Sequence, residues 1–155
     1  MHSKYLYPKI HDDIVFDFCK KCEKLNYVNN SSFKSMKWYW EEVQWVGTFS
    51  NNALISLSGI HPFPEINKNA FRIMFRGATL PGKSSSFLNF AQVPLKKEWA
   101  LMQNENAEFY VTFNLDSNIG SKSSRMNKAI QRTKKFEYHS TMNYFNVDQE
   151  VYVLL

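Results

Sequence analysis

The sequence predicts a mixed α/β fold in which a mostly antiparallel sheet is flanked by helices. Segments with the two-residue period of a strand alternate along the chain with segments of helical period. Three strand-like segments follow one another in the middle, which is typical of an antiparallel meander. The 155 residues, 44% hydrophobic and 21% charged, suit one globular domain over residues 1–155.

The first part of the chain is predicted to form one strand and two helices. Residues 4–10 alternate well enough for a short strand, and a helix follows from Asp12 or Asp13, either of which can cap it, to Leu25. The residues Asn29-Asn30-Ser31-Ser32 then break the pattern and can cap a second helix. The apolar positions are Ile14, Val15, Phe18, Cys22 and Leu25 in the first helix, and Phe33, Met36 and Trp40 in the second.

The predicted meander occupies the middle of the chain. Val43–Ser50 and Ala53–Ile60 are strand-like, and Asn51-Asn52 between them tolerates the positive φ of a tight hairpin turn. Residues 61–64 (HPFP) are predicted to end the second strand, and a turn at 67–69 leads into a third strand, Ala70–Leu80.

The remaining elements alternate between helix and strand. A Gly/Ser-rich loop at 81–86 precedes a helix that is predicted to begin at Pro94, since proline favours the first helical position. Further elements are predicted as the strand Glu108–Asn114, the helix Ser123–Thr133, and a closing hairpin of residues 135–142 and 150–155. The predicted order is therefore βααβββαβαββ.

Composition narrows the class of protein. The two cysteines, the lack of a signal peptide behind Met1, and the lack of an apolar run of about 20 residues predict a cytoplasmic protein that does not enter membranes. A net charge of +5 favours an anionic partner such as a nucleotide cofactor but falls short of a nucleic-acid-binding surface. The Lys and Asn content indicates an AT-rich genome, bacterial or phage.

Residues 77–84 (GATLPGKS) match the phosphate-binding pattern G-x-x-x-x-G-K-[ST] of P-loop proteins. A true P-loop follows a buried parallel strand, whereas the strand predicted here ends an antiparallel meander. The 71 residues after Ser84 are also few for the further βα units of such a fold. We expect a looser anion-binding loop, in which free backbone amides lie beside Lys83.

Other residue patterns admit both a structural and a chemical interpretation. Cys19-x-x-Cys22 lies inside a helix and lacks further ligands, which favours buried, inert thiols. His61, at the end of the second meander strand, is a candidate proton acceptor, with Glu41, Glu42 and Glu65 as rivals. The basic positions 122, 125, 128, 132 and 135 share one helical face, which suits either solvent or an anion such as a CoA phosphate. The aromatic residues at 38–40 and 45 suit a core or the border of a binding site.

The element order, together with Ala78-Thr79-Leu80-Pro81 followed by Gly82-Lys83-Ser84-Ser85-Ser86, resembles the GNAT superfamily of N-acetyltransferases. The resemblance implies that the strands 70–80 and 108–114 lie side by side, parallel, and diverge at their carboxyl ends to hold acyl-CoA. It implies an acyl-CoA-dependent N-acyltransferase acting on a small-molecule or protein amine. The cofactor-binding residues would be Thr79, Leu80, Gly82, Lys83, Ser84 and Ser85, with Asn114 across the gap.

Several positions depart from the family pattern. The loop keeps only Gly82 of the usual glycines, and Asn127 lies near the position where the family often has a tyrosine as general acid. Tyr144 in the last hairpin is the nearest substitute, so the predicted catalytic pair is His61 and Tyr144. The alternatives are a GNAT-like interaction protein without catalysis and a nucleotide-binding P-loop protein. The acceptor and the oligomeric state stay open.

Overall fold

A computed structural model describes residues 1–24, 41–74, 78–79, 85–114, 132, 134–144 and 146–155 of the chain. In these residues two helices accompany one sheet of eight strands. The helices are α1 (Asp12–Lys24) and α2 (Ser85–Gln103), and the strands are β1 (His2–Leu6), β2 (Gln44–Ser50), β3 (Ala53–Pro62), β4 (Ala70–Ile73), β5 (Ala78–Thr79), β6 (Glu108–Asn114), β7 (Phe136–Tyr144) and β8 (Val147–Leu154). The predicted fold class, a mostly antiparallel sheet with flanking helices, is confirmed.

The strands lie in the order β1-β2-β3-β4-β6-β8-β7, and β5 also pairs with β3. All neighbours are antiparallel except β4 and β6, which are parallel. The predicted meander of β2, β3 and β4 is present. Its β2–β3 turn places Asn51 and Asn52 at φ values of 50° and 64°, the left-handed region that asparagine tolerates.

The third meander strand was predicted to run unbroken from residue 70 to residue 80, and this was wrong. The structure has β4, which ends at Ile73, and β5, which begins at Ala78, and both pair with β3. Between these two ladders β3 contains only Ser58 and Gly59, whereas four positions of the sequence separate Ile73 from Ala78. The two ladders therefore differ in register by two residues, which alternation of side chains along a sequence does not reveal.

Helix α2 corrects a second expectation. It begins at Ser85, nine residues before the predicted start, and Pro94 lies inside it. A proline inside a helix removes one hydrogen bond and costs about 3 kcal/mol. Apolar side chains on both sides of Pro94, those of Phe90, Val93 and Trp99, pack on the sheet, and this burial offsets the cost.

Smaller differences concern the ends of elements. β1 ends at Leu6 rather than at residue 10, because the chain turns at residues 8–10, where Lys9 has a φ of 73°. β3 extends through Pro62, so His61 lies inside the strand. The closing hairpin turns tightly around Asn146, at a φ of 60°, and its strands are longer on the turn side than predicted. The second predicted helix, and the predicted helix 123–133 except Arg132, lie outside the described residues.

The two helices cover opposite faces of the sheet. Helix α1 packs on one face with a cluster that includes Leu6, Val15, Phe18 and Trp45. Helix α2 packs on the other face, where Ala100 contacts the cluster of β3, β4, β6 and β8. A third cluster, of Phe63, Ala70, Tyr110, Tyr144 and Val151, fills the region where β4, β6 and β8 are adjacent.

Candidate functional site

The two parallel strands diverge, and the candidate site lies at this divergence. β4 and β6 pair only from Ala70 with Glu108 to Arg72 with Tyr110. Beyond Tyr110, β6 continues to Asn114 against β8, whereas the described part of the other strand continues as β5 against β3. The expectation that strands 70–80 and 108–114 lie parallel and separate towards their carboxyl ends is therefore confirmed. A gap between two sheet strands exposes main-chain groups to a ligand.

Met74, the residue after β4, lies beside this gap and is held from two sides. The Met74 amide donates a hydrogen bond to the Gly59 carbonyl over 2.8 Å. The Met74 carbonyl accepts a hydrogen bond of 3.1 Å from Nζ of Lys96 on α2. Gly59 is required here, since a Cβ at this position would lie 2.6 Å from Cγ1 of Val43. The contacts of Met74 thus fix where the strand leaves the β3–β4 ladder.

A chain of hydrogen bonds connects this point to β2 beneath α2. Lys96 Nζ donates to Ser58 Oγ over 2.6 Å, and the Ser58 hydroxyl donates to the Gln92 side-chain carbonyl. Gln92 Nε2 in turn donates to Thr48 Oγ1 over 2.9 Å. All four side chains are buried, so each donor needs the acceptor that the next residue supplies.

Lys96 is fully buried, with 0% of its surface exposed. Removal from water penalises the ammonium form and lowers the pKa of Lys96 to about 7. The sequence pattern did not identify Lys96, because the helix was predicted to begin at Pro94, which left Gln92 outside it. The four-residue spacing of Gln92, Lys96 and Ala100 would have placed all three on one buried helical face.

The opposite face of the sheet carries a polar cluster centred on Arg72. Arg72 Nε donates to Thr112 Oγ1 over 2.9 Å, and Nη1 donates to His61 Nε2 over 3.2 Å. The guanidinium carbon lies 5.2 Å from the centroid of the Tyr144 ring, within cation–π range. Three different strands, β3, β6 and β7, therefore supply the contacts of one arginine on β4.

The partners of His61 determine its tautomer. Its Nδ1 lies 2.8 Å from the Pro62 carbonyl oxygen, which can only accept, so Nδ1 carries the proton. Its Nε2 faces Arg72, which can only donate, so Nε2 is the acceptor. His61 can then take a proton only if Nε2 leaves Arg72, because an imidazolium would otherwise face the guanidinium.

Tyr144 ends β7 with its side chain mostly buried. Its ring packs on Phe63, with 5.1 Å between centroids. Burial raises the pKa of the Tyr144 hydroxyl, Arg72 opposes this rise, and the carboxylates of Glu65 and Glu42 add to it. The phenol therefore stays protonated at neutral pH and can act as a proton donor.

The structure places some of the predicted site residues and not others. His61 and Tyr144, which are 83 positions apart in the sequence, both contact Arg72. Thr79, in β5, pairs with Ser56 of β3. Ser85 is the first residue of α2. Asn114 ends β6 and pairs with Gln149 of β8. The predicted cofactor-binding residues Leu80, Gly82, Lys83 and Ser84 lie outside the described residues.

The remaining motifs contribute little to the site. Of residues 77–84, only β5 is described, and its antiparallel pairing with β3 differs from the parallel context of a P-loop. Cys19 and Cys22 are buried as predicted, and burial raises the pKa of Cys22 to about 11. Trp45 is a core residue.

Within the described ranges, no group of three or more His, Cys, Asp or Glu could hold a metal ion. Neither α1 nor α2 combines the length and apolar character needed to cross a bilayer.

Arg72 is the functional candidate that the sequence interpretation overlooked. Sequence analysis gave no role to this arginine, although a charged residue between Phe71 and Ile73 in a buried strand is unusual. Its partner Thr112 is 40 positions away, so no local pattern could identify the cluster.

The sequence matches no protein-family model and no curated protein. Solved structures do match. The aminoglycoside 6'-N-acetyltransferase from Enterococcus faecium superposes with a TM-score of 0.67 at 8% identity, over 99% of this chain and 96% of that chain. An aminoglycoside 6'-N-acetyltransferase complexed with coenzyme A gives 0.63 at 10% identity, over 99% and 96% of the two chains.

A third match is a Desulfovibrio desulfuricans protein described as an acetyltransferase of the GNAT family. It gives a TM-score of 0.63 at 10% identity, over 99% of this chain and 97% of that chain. The matches span nearly the full length of both chains. The chain therefore has the fold of the GNAT acetyltransferases.

Proposed function

We propose that this protein is an acyl-CoA-dependent N-acyltransferase. The observation that carries the proposal is the divergence of β4 and β6 after three paired residues, with α2 beginning at Ser85 directly after the predicted anion-binding loop. Structural neighbours of the whole chain are acetyltransferases, and one of them is complexed with coenzyme A.

The beginning of α2 suits the pyrophosphate of CoA. The first amides of a helix have no partner within the helix, and the helix dipole favours an anion there. The first turn of α2 has no acidic residue that would repel one. We assign Leu80, Gly82, Lys83, Ser84 and Ser85 to phosphate binding, and Thr79 and Asn114 to the two sides of the gap.

Acyl-CoA supplies the acyl group as a thioester. Tyr144, protonated at neutral pH, is the proposed donor of a proton to the departing thiolate. His61 is the proposed acceptor of the proton that the attacking amine loses. It can fill this role only when Nε2 is released from Arg72, so the arrangement in the structure is a resting one.

The occupied Nε2 of His61 favours a second candidate, a GNAT-like interaction protein without catalysis. The single glycine in the predicted loop, Gly82, supports the same alternative. Ligand binding separates the two functions, since a protein of this kind need not bind acyl-CoA.

Thermal unfolding with a series of acetyl-CoA concentrations tests the proposal. A ligand that binds the native state alone raises the Tm progressively with its concentration. Mg·ATP should have little effect. Lys83→Ala should weaken acetyl-CoA binding by about 1–3 kcal/mol, roughly 5- to 150-fold, the scale of one charged hydrogen bond.

The matched control is Lys68→Ala, which removes an exposed lysine from the turn between β3 and β4 and should leave the affinity unchanged. Stabilisation by Mg·ATP alone would instead favour a nucleotide-binding protein. No response to either ligand would favour the interaction protein.

A further inference from the structure

Arg72 makes fewer hydrogen bonds than its guanidinium allows. The group has five N–H donors, and among the described residues only two of them are used, one by Thr112 and one by His61. Neither partner carries a charge. Thr112 accepts through its hydroxyl oxygen, and His61 accepts through the Nε2 lone pair of a neutral ring. No described residue accepts a hydrogen bond from the remaining N–H groups, which can therefore donate to a ligand.

In the described part of the chain, the charge of Arg72 has no hydrogen-bonded counter-ion. No carboxylate among the described residues is hydrogen-bonded to the guanidinium, although Arg72 is only partly exposed. Burial lowers the pKa of Arg72, and Tyr144 and then Glu65 oppose this shift. The side chain stays protonated, since arginine does not lose its proton in proteins. A partly buried cation without an ion pair is costly, and an anionic ligand would offset that cost.

The guanidinium is held in a fixed orientation at the start of the gap. Arg72 is the last residue of β4 that pairs with β6, and its side chain lies on the face opposite α2. Thr112 fixes Nε, His61 fixes Nη1, and the Tyr144 ring lies against the guanidinium. An arginine held in this way can bind a carboxylate through two parallel hydrogen bonds without reordering its side chain.

The charges that surround Arg72 point to a type of acceptor. Glu42 and Glu65, both exposed, are close enough to raise the pKa of Tyr144. They can attract the ammonium group of an acceptor, while Arg72 attracts an acid. An acceptor with several cationic groups and no acid could meet the two glutamates but would leave Arg72 without an anionic partner.

We propose that Arg72 binds a carboxylate of the acyl acceptor, so that the acceptor is an amine that also carries an acidic group, as an amino acid does. This inference rests on the proposed acyltransferase function and names its substrate class. The aminoglycosides of two structural neighbours are polycationic and fall outside this class.

The test compares amino acids with their carboxamides as acceptors for acetyl-CoA. The two compounds of each pair share the amine and differ in the charge that Arg72 would bind. For the wild type we expect kcat/KM to be at least about 10-fold higher for the acid than for the amide. The amino acid should also raise the Tm of the CoA-saturated protein more than the amide does, which needs no turnover.

Arg72→Gln should abolish the preference for the acid and leave the affinity for CoA unchanged. Arg72→Lys should retain part of the preference, because it keeps the charge without the two-pronged geometry. Lys97→Gln is the matched control, since it removes one cation from the α2 face, where Lys97 lies over the Phe109 ring. It should keep the full preference.

Three results would overturn the inference. One is equal use of acid and amide by the wild type, a comparison that needs no variant and is unaffected if Arg72→Gln fails to fold. Another is a loss of CoA affinity in Arg72→Gln, which would make Arg72 a cofactor contact. A third is preferred transfer to a polyamine or an aminoglycoside.

If acetyl-CoA does not bind at all, the proposed function itself fails. If it binds and neutral amines react equally well, only the acceptor class is wrong.

Discussion

Replacement of Lys96 by methionine should remove a pH dependence of stability that this one side chain creates. Lys96 is fully buried and has a pKa of about 7, against about 10.4 for an unfolded lysine. Between these values the unfolded chain binds one more proton than the folded chain, so the free energy of unfolding rises with pH. The slope approaches about 1.4 kcal/mol per pH unit, and it disappears below pH 7, where both states are protonated.

From pH 7.5 to pH 9.5 the contribution of Lys96 amounts to about 2.5 kcal/mol. In urea, with an m value of about 2 kcal/mol/M, this corresponds to a midpoint shift of about 1 M. Methionine has a similar length and does not titrate, so Lys96→Met should lack this contribution. Urea unfolding of both proteins at the two pH values measures the difference.

Cys22 has the opposite effect on the pH dependence of stability. Its pKa is about 11 in the folded protein, above that of an unfolded cysteine, so the folded chain keeps the proton to higher pH than the unfolded chain does. The stability that Cys22 contributes is therefore lost as pH rises towards 11. Because Cys22 is present in both proteins, the comparison isolates Lys96. Equal midpoint shifts for the wild type and Lys96→Met would refute the reasoning, since Lys96 would then be charged and solvated at both pH values.

Three further predictions concern Gly59, the proton donor and the thiols. Gly59→Ala should lower the free energy of unfolding by about 1–3 kcal/mol, measured in urea, because its Cβ would lie 2.6 Å from Val43; an unchanged midpoint would show that the strand can relax. Tyr144→Phe should lower kcat for acyl transfer by about 10²-fold or more, while the Kd for acetyl-CoA stays the same; an unchanged kcat would exclude Tyr144 as the proton donor. Cys19 and Cys22 should react with a thiol reagent only as the protein unfolds, so rapid labelling of the native protein would contradict their burial.

Local patterns in the sequence were sufficient for most of the fold. The Asn51-Asn52 turn, the strand at Ala53–Ile60 and helix α1 each follow from short-range physical chemistry, and the structure confirms these elements. Of the residues predicted for the apolar face of α1, Val15, Phe18 and Cys22 are buried, whereas Ile14 is exposed. The parallel pairing of β4 with β6 is a contact between distant segments. It was predicted from the family resemblance and not from the residues themselves.

The candidate site was harder to predict because it depends on contacts between distant residues. His61 and Tyr144 were identified by residue type, but the arginine that contacts both was not. The break between β4 and β5 goes with a register difference between two ladders, and register is a property of paired strands. Lys96 was missed because a proline was taken as a helix start, whereas packing on both sides of Pro94 maintains the helix.

Hydrogen–deuterium exchange with and without acetyl-CoA tests most directly whether the cofactor binds where β4 and β6 diverge. Amides protected by a bound ligand exchange more slowly, and peptides locate the protection along the chain. We expect acetyl-CoA to slow exchange in peptides that cover residues 74–90 and 108–114, and to leave the outer strands β1 and β7 unchanged. No protection at saturating acetyl-CoA, or protection confined to other segments, would contradict the proposed function.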